Sequence, residues 1–187
     1  MWCDHTGVTN VYIALIRGIN VGGSHLLPMK DVKLLFEQHG CAEVQTYIQS
    51  GNVVFRSTDA NAGRLARRVT AAVAKARGFE PRLLVLTRSE LERAAAGNPF
   101  PEADDKPASV HLFFLAEEPA KDADMKSMHA LKTATERFVL KGRVLYLHTP
   151  DGIGGSKLAA RVERLLGVDA TARNWRTVKT LLGIASK

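Results

Sequence analysis

Residues 11–16, Val-Tyr-Ile-Ala-Leu-Ile, make an almost unbroken apolar run that opens directly onto Arg17-Gly-Ile-Asn-Val-Gly-Gly23. An alternating run asks for one buried face. A continuous run asks for cover on both, so this one reads as a central strand. Gly18, Gly22 and Gly23 let the following backbone turn sharply and leave its N–H groups uncovered. The chain is therefore organised around a core strand that delivers a polar loop, with Arg17 and Asn20, to one edge of a sheet.

The rest of the first half builds on that strand. Pro28 suits a helix start, Met29, Val32, Leu35 and Phe36 recur at helical spacing, and Gly40 suits the helix end. Val44, Thr46 and Ile48 alternate with polar positions, and Ser50-Gly51 reads as a two-residue hairpin turn that sets Ile48 opposite Val53. One hairpin face, with Val44, Thr46, Ile48, Val53 and Phe55, is then core. The other, with Gln49, Asn52 and Arg56, is half polar and open to a ligand. Asp59 is placed to cap a helix with Leu65, Val69 and Val73 on its buried stripe, and residues 82–86 supply a fourth strand. The order β-α-β-β-α-β is that of a ferredoxin-like unit. Thr87 and Glu90 form a capping box for a short helix.

Residues 98–107 are proline-bearing and acidic and read as a linker, giving halves at 10–97 and 108–187, with 1–9 an extension. The second half repeats the order. Residues 110–115 are a strand, and Pro119 opens a helix burying Met125, Met128 and Leu131. A hairpin comes next at 137–147, then a glycine loop and a helix with Leu158, Val162, Leu165 and Leu166 inside. The closing strand is short or absent near 168–170, and a last helix begins near Trp175. The fold class is α+β, with two ferredoxin-like halves and antiparallel sheets.

Composition narrows the setting. No apolar run approaches the roughly 20 residues of a membrane span. The two cysteines, Cys3 and Cys41, form no CxxC pair, which suits a reducing cytoplasm without a disulfide framework or zinc knuckle. The net charge of +7 lies wholly within residues 137–187, where ten Lys/Arg meet three Asp/Glu. A localised positive field favours an anionic ligand or nucleic acid.

Four stretches carry candidate binding residues. Arg17, Asn20, Gly22 and Gly23 have the ingredients of an anion nest, although the glycine spacing is not the dinucleotide fingerprint. Gly152-Ile-Gly-Gly-Ser-Lys157 precedes a helix, so its amides, Ser156 and Lys157 suit a phosphate, but the Ser-Lys order is not a Walker loop. Arg173 and Asn174 stand at the start of the last helix, and Ser50 and Asn52 sit at a hairpin tip. The bland alternatives are a tight crossover loop, capped helices and ordinary turn chemistry. The six histidines show no metal-ligand spacing, and no nucleophile–base motif or paired carboxylates stand out. No metal or cofactor is implied, and no reaction type is indicated.

Several of these stretches together resemble a bacterial family, the domain-of-unknown-function family sixteen-ninety-seven. They are Tyr12-Ile-Ala-Leu-x-Arg-Gly-Ile-Asn-Val-Gly-Gly23, Pro28-Met29, Thr46-Tyr-Ile-Gln-Ser-Gly-Asn-Val-Val-Phe55, Pro150-Asp-Gly-Ile-Gly-x-Ser-Lys157 and Thr171-Ala-Arg-Asn-Trp175. The resemblance implies a compact soluble bacterial protein with two ferredoxin-like halves, and it implies no activity. From the residues themselves, the leading expectation is a small anionic or phosphorylated ligand held where the halves meet by Arg17, Asn20, Ser156, Lys157 and Arg173. The alternatives are a nucleic-acid-binding module using the basic C-terminal quarter, by analogy with RNA-binding ferredoxin-like sheets, or a protein-interaction module.

Overall fold

A computed structural model of the chain describes residues 9–20 and 25–187. It divides into two compact units, residues 1–92 with 181–187, and residues 93–180. The acidic stretch 98–107 lies within the second unit and holds a short helix of its own. Each unit contains one four-stranded sheet.

In the first unit the elements are β1 (Asn10–Arg17), α1 (Met29–Gln38), β2 (Ala42–Tyr47), β3 (Asn52–Ser57), α2 (Ala62–Arg77) and β4 (Arg82–Thr87). The sheet order is β2-β3-β1-β4, with every neighbouring pair antiparallel. This is the ferredoxin-like arrangement. β1 lies inside the sheet, and Ile13, Ala14 and Leu15 are fully buried, as the continuous apolar run requires. Tyr12, Ala14 and Ile16 face the core that α1 and α2 cover with Val32, Phe36, Leu65, Val69 and Val73.

Three local expectations are corrected. The hairpin pairs Thr46 with Val53 and Tyr47 with Asn52, so the tip spans four residues, 48–51. Ile48 leaves the core face, is 51% exposed and adopts φ 48°, a left-handed conformation rare for a β-branched residue. The face expected to be open is also covered at its centre, because Asn52 and Val54 are buried. Further along, Asn61 rather than Asp59 caps α2, accepting the Arg64 N–H at 2.8 Å. Asp59 instead accepts the Asn61 N–H at 2.9 Å and holds the Arg64 guanidinium at 2.7 Å, and these bonds pull its carboxyl down to about 2.

The next helix, α3 (Arg88–Ala96), is started by the expected box: Glu90 Oε2 accepts the Thr87 N–H at 2.7 Å and Thr87 Oγ1 accepts the Glu90 N–H at 3.2 Å. Then come α4 (Glu102–Asp105), β5 (Val110–Leu115), α5 (Met125–Leu131), β6 (Arg137–Lys141), β7 (Val144–His148), α6 (Val162–Leu166), β8 (Ala170–Asn174) and α7 (Trp175–Ala185). The second sheet is ordered β6-β7-β5-β8, the same topology as the first. Its core gathers Phe113, Leu115, Leu145 and Leu147 from the sheet with Met128, Leu158, Val162, Leu165 and Leu166 from above it.

Three details differ from expectation. The closing strand exists and runs five residues; it was hard to read because Ala-Thr-Ala-Arg-Asn on a sheet edge alternates small with polar side chains. Pro119 does not open a helix. The 120–124 backbone is tied to the end of α6, through Ala120 N–H to Leu166 O at 2.9 Å and Asp124 N–H to Leu165 O at 2.8 Å. Helix α5 starts only after Asp124, which accepts the Ser127 N–H at 2.8 Å. Finally, the second glycine loop itself holds a 3-10 turn at Ile153–Gly155, and a second one at Ala159–Arg161 comes before a five-residue α6.

Candidate functional site

The loop after β1 and the β2–β3 tip are joined by Asn20. Its Nδ2 donates to the carbonyls of Leu27 and Gln49, both at 2.9 Å, and its Oδ1 accepts the Leu27 N–H at 2.8 Å. Asn20 sits at φ 55°, a conformation asparagine tolerates better than most residues. Ile16 N–H reaches the Gly51 carbonyl at 2.7 Å, adding a second tie. Asn52 is buried and donates to the Tyr47 carbonyl at 3.2 Å and to Ser50 Oγ at 3.0 Å, closing the tip from within. Asn20 and Asn52 thus spend their amides on architecture. Gly22 and Gly23 lie outside the described residues.

Arg17 has a different setting. It is exposed at the end of β1, and the β1–β4 register sets it directly opposite Arg82, which is also exposed. Directly opposed residues of antiparallel strands share a sheet face with their side chains close together. Tyr12, Ala14 and Ile16 face α1 and α2, so Arg17 and Arg82 lie on the other face of the sheet. Sequence reasoning missed Arg82; it opens a plainly legible strand, but only the pairing register shows that it meets Arg17.

The second unit holds the remaining expected residues. Ser156 is buried and its Oγ accepts the Ala159 N–H at 3.0 Å, while Lys157 is exposed. The expected phosphate contact relied on a helix dipole, but Ser156 leads into a 3-10 turn, and α6 begins only at Val162. Arg173 and Asn174 stand just before the last helix, as expected, and close β8, paired with Leu112 and His111 of β5. Arg173 donates to the Ala172 carbonyl at 2.8 Å, and burial lowers its guanidinium to about 10. Asn174 caps α7, accepting the Thr177 N–H at 2.9 Å.

The 152–157 loop borders a pocket of about 130 Å³. Its walls are Thr133, Glu136, Thr149, Asp151, Gly152, Gly155 and Ser156. None of these is cationic, and two are carboxylates. Glu136 is 4% exposed and accepts the Thr133 N–H at 2.9 Å through Oε2. Thr135 Oγ1 donates to Asp151 Oδ2 at 2.8 Å, and Thr149 Oγ1 donates to the Ser109 carbonyl at 3.3 Å. The Thr133-x-x-Glu136 turn was legible as a capping box in sequence, but it leads into the strand β6, not a helix.

The charge distribution also looks different once folded. The second unit carries 14 Lys/Arg against 11 Asp/Glu and the first carries 12 against 8, so the excess is shared between them. Cations of the last quarter meet α4, where Arg137 pairs with Glu102 and Lys179 with Asp104, the latter at 3.5 Å. Among the described residues no three His, Cys, Asp or Glu side chains gather to hold a metal, and no helix is long and apolar enough to cross a membrane.

Comparison with known sequences decides the family. The profile of a family described as protein of unknown function (DUF1697) matches residues 9–146. The chain belongs to that family. The DUF1697 match covers the first sheet and runs into β7, ending before the 152–157 loop and β8. A solved structure, a conserved bacterial protein from Streptococcus pneumoniae, is similar to this chain with a TM-score of 0.71 at 20% identity. The similarity covers 95% of this chain and 99% of that one, and at this identity the likeness is one of fold. No similar sequence was found among curated proteins.

Proposed function

We propose that this DUF1697 protein binds a small anionic or phosphorylated ligand, and that Arg17 and Arg82, opposite one another on β1 and β4, hold it. The observation that carries this reading is the register: two exposed arginines stand opposite one another on neighbouring strands. An anion between two guanidinium groups gains bidentate, charge-assisted hydrogen bonds. Asn20 ties the loop after β1 to the neighbouring tip, and Ser50 accepts from Asn52 within that tip.

The test is a thermal-shift and NMR titration of the full chain with inorganic phosphate, sugar phosphates and nucleotides at fixed salt. A ligand at about 100 times its dissociation constant stabilises by about 2.7 kcal/mol. Arg17→Ala and Arg82→Ala should each abolish that shift. A hit that survives both alanine variants sinks the proposal. The nucleic-acid reading predicts binding with a steep salt dependence over several phosphates; no observation favours it now that the positive charge is spread over both units.

A further inference from the structure

The geometry points to a second site, inside the second unit, for a small ligand that carries a protonated amine: the pocket between Glu136, Asp151 and the 152–156 loop. It is independent of the anion reading and uses none of the same residues.

The walls set the sign of the ligand's charge. Two of its seven lining residues are carboxylates, and no Lys, Arg or His lines it. Glu136 is more than nine-tenths buried, yet only Oε2 is engaged, by the Thr133 N–H; among the described residues Oε1 has neither a hydrogen-bond nor an ion-pair partner. Oε1 is not sealed from the open space, and a carboxylate oxygen there can accept hydrogen bonds from a cationic occupant. The hydroxyls agree. Thr149 has committed its proton to the Ser109 carbonyl, leaving its oxygen as an acceptor. Asp151 receives one hydrogen bond, from Thr135, and a carboxylate can accept several.

An ammonium supplies three donors and a positive charge, matching Glu136, Asp151 and Thr149. A metal ion fits less well, because the pocket offers two carboxylates and no third strong ligand. An anion would meet two like charges. The volume of about 130 Å³ has room for an aminoalkyl group of a few heavy atoms, and the glycines keep the entrance free of side chains, since a Cβ at Gly152 or Gly155 would meet nothing within 4 Å. The fold uses the same turn twice, and the two uses differ. At Thr87–Glu90 the box starts helix α3, whereas at Thr133–Glu136 it leads into a strand, so the buried carboxylate has no helix end to serve.

The test is an NMR titration of the isotope-labelled full chain at pH 7 with ethanolamine and putrescine, and with ethylene glycol as the uncharged control. Saturable shifts of the Gly152, Gly155 and Ser156 amides by the amines alone are expected. They should weaken at least tenfold in both Glu136→Gln and Asp151→Asn. Because Glu136 also closes its own turn, Asp151→Asn, at an exposed position, keeps the test valid if Glu136→Gln misfolds. Absence of saturable shifts overturns the inference. So do equal shifts from ethylene glycol, undiminished binding in Asp151→Asn, or the same shifts produced by calcium or magnesium in place of an amine.

Discussion

Asn20 separates a structural from a ligand-binding reading of the first glycine loop, and the structure allows the difference to be sized. Replacing it by alanine removes three hydrogen bonds to Leu27 and Gln49. Each is worth about 0.5–1.5 kcal/mol net, and the Leu27 N–H, on a fully buried residue, loses its acceptor. Alanine must also take φ 55°, which costs a further ~1 kcal/mol. The total is about 3–4 kcal/mol. Asn20→Gly loses the bonds but not the conformation, so it should cost about 1 kcal/mol less. Two units in one chain need not unfold in one step. The readout is therefore amide hydrogen exchange, in which Leu27 and Ile16 should lose protection in both variants, and more in the alanine one. If both variants exchange like the wild type, or if alanine and glycine are equivalent, Asn20 is not a clamp and the ligand role returns.

Other positions give equally direct outcomes. Gly51→Ala should destabilise the first unit by about 3 kcal/mol or more: a Cβ there stands 2.7 Å from Ile16 Cβ and 2.9 Å from Ile16 O at φ 76°. Chemical denaturation checks it. Gly97→Ala drives a Cβ to 2.7 Å from Tyr146 Oη, a hydroxyl fixed by its 2.7 Å bond to the Ala94 carbonyl. Tyr146→Phe removes both the bond and the obstruction, so the double variant should cost less than the sum of the singles, read as a double-mutant cycle. His111 is held down to about 4 by burial, against 6.5 in an exposed chain. The unfolded state binds more protons between those values, so stability is full above about pH 6.5 and falls as pH drops toward 4, by about 3 kcal/mol for this group. His111→Phe should flatten that slope in denaturation curves measured from pH 7 to 4.

The elements legible in the sequence are those whose cause is local. The buried β1 run, the Thr87–Glu90 box and the buried spacing of Leu158, Val162, Leu165 and Leu166 all rest on periodicity or on hydrogen bonds within a few residues. The misreadings have distant causes. Ser50-Gly51 looked sufficient for a two-residue turn, yet Asn20 and Ile16 donate to the carbonyls of Gln49 and Gly51 and hold the tip open at four residues. Pro119 looked like a helix start, yet the end of α6 captures the backbone just beyond it. No local pattern encodes a partner tens of residues away.

The same limit governs the candidate sites. Arg17 was legible as a cation on a loop, but an anion site needs a second charge, and Arg82 lies 65 positions further along the chain. Only the antiparallel return of β4 brings the two abreast. At the 152–157 loop the distant neighbour has the opposite sign. Glycines, a serine and a lysine in a row suggest an anion, because the eye supplies the helix that usually comes next. The folded chain gives that loop a neighbour from about 20 residues upstream, the buried Glu136, and with it a wall of the opposite sign. A glycine-rich loop fixes where a ligand can approach the backbone; the charge of that ligand is set by side chains that sequence proximity does not reveal.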